Sequence, residues 1–81
     1  MRPIRIQVQC ITGHKADKSP QRFLCEGSDV EIEQILDRWL SAGKDPKEPK
    51  ADYFKVTGKD GHDYLLKHVL DSDAWFLENR W

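Results

Sequence analysis

The final 30 residues constrain this chain most, because they define a sheet topology by themselves. From Ala51 to Gly58, Phe54 and Val56 fall on one side while Tyr53, Lys55 and Thr57 fall on the other. That period of two predicts a half-buried strand. Lys59-Asp60-Gly61 follows, and an Asp-Gly pair suits the positive φ angles of a tight hairpin. A return strand is predicted over His62 to Val69, then a second turn at Asp71-Ser72-Asp73. Ala74 to Glu78 completes a three-stranded meander, with Trp75 and Leu77 on one face and Phe76 on the other.

The N-terminal part reads the same way. Ile4, Ile6, Val8 and Cys10 alternate with Arg5, Gln7 and Gln9, giving a first strand. Gly13 to Pro20 is polar and predicts a loop. Gln21 to Glu26 predicts a second strand, placing either Phe23 and Cys25 or Arg22 and Leu24 inward.

Residues 28–40 support two readings. Ile32, Ile35, Leu36 and Trp39 fall at helical spacing, and Ser28 with Glu31 fits a capping box. The alternative is a long strand with Val30, Ile32, Ile35, Asp37 and Trp39 inward. Its parity changes once, as a β-bulge near Glu33–Gln34 would allow. In that reading Gly27-Ser28-Asp29 forms the preceding hairpin turn. Local pattern alone favours the helix. Ser41 to Asp52, with Gly43, Pro46 and Pro49, predicts a mobile loop.

Taken together, Arg22-Phe23, Leu36-Asp37-Arg38-Trp39, Tyr53-Phe54-Lys55-Val56, Asp60-Gly61, Tyr64-x-Leu66, His68 and Trp75-x-Leu77 carry a resemblance. The chain resembles a group of small uncharacterised bacterial proteins over roughly residues 5–78. The resemblance implies a compact β-rich domain and a β-hairpin ending in the bulged strand through Trp39. It implies no activity.

The expectation is therefore a single domain over residues 1–81, all-β or β-rich α+β. Its architecture would be a small bent antiparallel sheet or SH3-like barrel of five to six strands, since closure removes exposed edges. The alternative is an antiparallel sheet with one helix at about 29–40. The expected core is Ile6, Val8, Phe23, Val30, Ile32, Ile35, Trp39, Phe54, Val56, Leu66, Trp75 and Leu77.

Composition narrows the function classes. The 13 Lys and Arg nearly balance 14 Asp and Glu, which argues against a generic polyanion binder. That neutrality is a cancellation, however: residues 1–22 carry +4 and residues 23–40 carry −4. No apolar run approaches a membrane span and no signal peptide is apparent. Two cysteines are too few for a secreted disulfide scaffold of this size, so a cytoplasmic location with two free thiols is expected.

Cys10, His14 and Cys25, with His62 or His68 as a fourth group, would offer a metal or thiol site if the first two strands pair. The spacing lacks the paired signature of structural zinc, so no metal or cofactor is expected. Cys10 near His14 has no accompanying nucleophile motif, and a core this small encloses little volume, so no enzyme is expected. The leading expectation is a non-enzymatic module that binds an unknown protein partner, as a monomer or weak dimer. The alternative is weak RNA or single-stranded nucleic-acid binding on a basic face, with Phe23, Tyr53 or Tyr64 stacking on bases. The candidate interaction residues are Arg5, His14, Lys15, Lys18, Arg22, Tyr53, Tyr64 and His68.

Overall fold

A computed structural model of the chain describes residues 2–12, 18–42, 47 and 49–81. It contains six strands: β1 (Ile4–Thr12), β2 (Lys18–Cys25), β3 (Ser28–Ser41), β4 (Ala51–Gly58), β5 (Asp63–Val69) and β6 (Ala74–Arg80). Each strand pairs antiparallel with the next, and β6 returns to β1, closing a barrel in chain order. There is no helix among the described residues, so the helical reading of 29–40 is wrong.

The bulged-strand reading explains why a helix was suggested. Register shifts fall between Ile32 and Gln34, the one expected, and again between Ile35 and Asp37. Each bulge inserts one residue and restores inward parity after three residues instead of two. Ile32, Ile35 and Arg38 thus sit opposite Gly58, Val56 and Phe54 on the inner face. Bulges repeated at that interval mimic helical spacing. The second bulge also turns Asp37 and Trp39 outward, opposite Lys55 and Tyr53. Trp39 is 42% exposed and lies outside the core, and Ile35 is 37% exposed.

The β2–β3 turn is one residue earlier than expected. Cys25 pairs with Ser28, so Glu26 and Gly27 form a two-residue turn with φ of 48° and 83°. Positive φ at both positions matches the twist of the flanking strands. The expected loops also shrink, because β2 begins at Lys18, β3 runs to Ser41 and β4 begins at Ala51. The remainder of those two loops, 13–17 and most of 43–48, lies outside the described residues.

The core comprises Ile6, Phe23, Phe54, Val56, Tyr64, Leu66, Trp75 and Leu77, with Val8, Val30 and Ile32 packed against it. Tyr64 and His68 share a face of β5 with Leu66, and both are buried. Each finds an acid in a neighbouring turn. The Tyr64 hydroxyl donates to Asp60 Oδ2 at 2.5 Å, and His68 Nε2 lies 2.5 Å from Asp73 Oδ1. The Tyr64 ring meets Phe23 edge-on at 5.1 Å, and His68 stacks on Trp75 at 4.1 Å. Buried polar groups survive because they are satisfied in this way.

The Tyr64–Asp60 pair gives a pH dependence. Burial, then the hydrogen bond to Asp60, pushes the Tyr64 phenol up to about 12. The folded state holds that proton more tightly than the unfolded chain, whose tyrosines ionise near roughly pH 10. This contribution to stability is complete below pH ~10 and disappears as pH rises toward the folded value. The Asp60 carboxyl moves down, chiefly through the same hydrogen bond. Its contribution is present above roughly pH 4 and fades as pH falls below that. Phenolate absorbance is expected to show the alkaline step: subtracting a Tyr64→Phe titration from that of the parent should leave a transition near pH 12. A difference curve centred near pH ~10 would contradict the clamp.

Candidate functional site

The register first removes Arg22 from the expected basic face. Arg22 and Glu31 are directly opposed on β2 and β3. Arg22 reaches Glu31 at 2.5 Å and Asp29 at 3.6 Å, and Lys59 meets the other Glu31 oxygen at 2.9 Å. The hydrogen bond from Lys59, then its charge and that of Arg22, holds the Glu31 carboxyl below its ordinary value. The +4 and −4 segments therefore meet as neighbouring strands and partly neutralise one another. Arg22 is engaged rather than free for a polyanion. Among the other candidates, Tyr64 and His68 are buried and offer no contact surface. Phe23 is also buried, so neither it nor Tyr64 can stack on a base. His14, Lys15 and the Lys18 side chain lie outside the described part of the molecule.

Arg5 and Tyr53 do share a surface. Trp39, Tyr53, Lys67, Phe76 and Arg5 stand directly opposite one another in turn across β3, β4, β5, β6 and β1. Trp39 and Tyr53 stack at 5.5 Å, Lys67 lies over Tyr53 at 5.9 Å, and Arg5 lies over Phe76 at 6.0 Å. Cross-strand pairs of this kind stabilise a sheet. Lys67 also lies 3.8 Å from Glu78, and Asp37 shares the face. The row packs on itself, with Lys55 opposite Asp37 on the same face.

The cysteines do not come together. Cys10 pairs with Pro20, five residues along β2 from Cys25. At ~3.3 Å per residue the two lie roughly 16 Å apart, beyond reach of a disulfide or a shared metal ion. Among the described residues no three His, Cys, Asp or Glu gather as a metal site. Burial, then the Glu26 charge, raises the Cys25 thiol, which disfavours the nucleophilic thiolate. A cleft of about 800 Å³ runs beside β1, lined by residues including Arg5, Cys10, Glu26, Asp73 and Trp75.

The distinctive feature is a fork. β2 and β3 pair only from Cys25–Ser28 to Arg22–Glu31. Beyond that point β2 pairs only with β1, through Thr12–Lys18, while β3 pairs only with β4, through Ser41–Ala51. Nothing among the described strands pairs with the other edge of residues 32–41. At the crotch sits a recess of about 230 Å³ bordered by Gln9, Gln21, Arg22, Glu31, Ile32 and Lys59. Along the free limb, Ile35, Leu36, Trp39 and Leu40 are 37%, 45%, 42% and 58% exposed. Arg38 is held by Asp52 at 3.3 Å and lies over the Phe54 ring at 4.9 Å. Glu33 and Asp37 have no ion-pair partner among the described residues.

Sequence reading placed Trp39 in the core and did not single out Leu36, Leu40 or Asp37 as surface groups, while Glu33 was visible only as one acid of the negatively charged segment. The signal lay in the length of the stretch: residues 28–41 exceed what residues 18–25 can pair with. No family model, no curated protein and no solved structure matches this chain.

Proposed function

We propose that the chain is a non-enzymatic protein-interaction module whose contact surface is the free limb of β3. The observation that carries this reading is a strand edge over residues 32–41, unpaired among the described residues and bearing four large exposed apolar side chains. Proteins normally blunt such an edge with charges, prolines or short length, because it templates pairing with another chain. Here it is long, and its apolar groups come as two adjacent pairs, Ile35–Leu36 and Trp39–Leu40. Edges of this type accept an extended segment of a partner as an added strand, with main-chain hydrogen bonds supplying much of the affinity. Two cysteines too distant to cross-link support a reducing, cytoplasmic setting.

The test compares the parent with Leu36→Lys/Leu40→Lys as bait under native conditions. Both positions are largely exposed, so the double variant is expected to keep the parent's circular dichroism and melting behaviour. Proteins captured by the parent should be lost from the variant by tenfold or more, since lysines on an edge strand block strand addition. Retention of the same proteins by a folded variant would refute the reading.

A further inference from the structure

We infer that the occupant of the β2–β3 fork is an extended segment of another protein in which apolar and basic side chains alternate; this rests on the interaction reading above. Three features of the free limb specify that chemistry. Among the described residues its backbone edge is open from residue 32 to residue 41, the length of an ordinary strand. Its apolar groups lie on both faces: Ile35 and Leu40 share the inner face with Val56 and Asp52, and Trp39 stands on the outer face with Tyr53. An added strand would therefore meet an apolar neighbour whichever of its faces turned inward.

The third feature is charge. Glu33 and Asp37 are exposed carboxylates with no ion-pair partner among the described residues. The limb's one cation, Arg38, is held by Asp52 and the Phe54 ring. The limb is therefore an acidic, apolar edge, and lysine or arginine on the incoming strand complements it. The same argument disfavours a second copy of this chain. Pairing two β3 edges antiparallel brings acidic limbs together, and like charges across a ladder are destabilising.

The experiment uses the full chain and three capped nine-residue probe peptides: alternating Val and Lys, alternating Val and Glu, and the Val–Lys peptide with two central prolines. Affinity is measured at low and at high salt, and amide hydrogen exchange locates the contact. The Val–Lys peptide is expected to bind about tenfold more tightly than the Val–Glu peptide at low salt, with the gap narrowing at high salt. It should slow exchange of amides within residues 33–41. Glu33→Gln/Asp37→Asn, which leaves the core untouched, should bring the ratio close to one.

Equal binding of the Val–Lys and Val–Glu peptides, with protection still at 33–41, would overturn the basic assignment and leave the edge reading standing. Equal binding of the proline peptide would overturn strand addition, because proline lacks the ladder donor. Protection elsewhere, or no binding by any probe, would overturn both.

Discussion

Phe54→Ala is expected to remove a large share of the protein's stability. Phe54 is 1% exposed and packs against Trp75 at 5.5 Å, with the Arg38 guanidinium over its ring at 4.9 Å. Truncating a buried phenylalanine costs about 3–5 kcal/mol, from lost transfer free energy and the cavity left behind. A domain of this length has a total stability of roughly 4–12 kcal/mol, so one residue removes a large share. The barrel offers little redundancy, because the β1–β6 seam that closes it spans only Ile4–Leu77 to Ile6–Trp75. Chemical denaturation checks this, with Phe54→Leu as a milder companion. A loss below about 1 kcal/mol for the alanine variant would show that Phe54 does not organise the core.

Gly58→Ala is the second large effect, and here two contributions oppose one another. Glycine within a strand ordinarily costs about 0.5–1 kcal/mol relative to alanine, so the substitution would help if space allowed. Space does not allow it. A Cβ at Gly58 would lie 2.6 Å from Asp60 Oδ1, 2.9 Å from Val30 Cγ1 and 3.1 Å from Tyr64 Cε2. Asp60 is able to swing away, but only by giving up its bonds from the Tyr64 hydroxyl and the His62 amide. Val30 packs against the core beside Tyr64 and has less freedom. Overpacking of this kind costs about 1–3 kcal/mol, which exceeds the backbone gain. A net loss of about 1–2 kcal/mol is expected in the same denaturation assay; a stabilised variant would contradict it.

These two residues also show which parts of the fold were legible in the sequence. Phe54 alternates with Tyr53 and Lys55, and the period of two assigned it to the interior at once. The same pattern, punctuated by Gly61 and the 71–73 turn, marked five of the six strands; only the resemblance favoured a strand over a helix at residues 28–40, and with it the barrel-like class. β3 resisted because its parity resets twice. One bulge was expected near Glu33–Gln34; the second, at Leu36, moved Trp39 from the expected core to the surface. Tyr64 and His68 misled differently. Their polar atoms suggested a contact surface, while their parity with Leu66 pointed inward. What decided the matter was a pair of acids, Asp60 and Asp73, supplied by the flanking turns. The basic face was half legible. The charge segments were visible, but only the Arg22–Glu31 register shows that they meet, and that they do so at Arg22. The free limb of β3 was missed, because its signal is the mismatch in length between β2 and β3 and appears only once residues 28–41 are read as a single strand.

The proposed contact is this limb and no other surface. Site-specific photo-crosslinking under native conditions tests it most directly, with the photoreactive residue placed in turn at positions 36, 40, 65 and 79. Positions 36 and 40 lie on the free limb; 65 and 79 oppose one another on the outer face of β5 and β6. The account predicts crosslinks to a common partner from 36 and 40 and none to that partner from 65 or 79. Crosslinks from 65 and 79, with 36 and 40 silent, would contradict it.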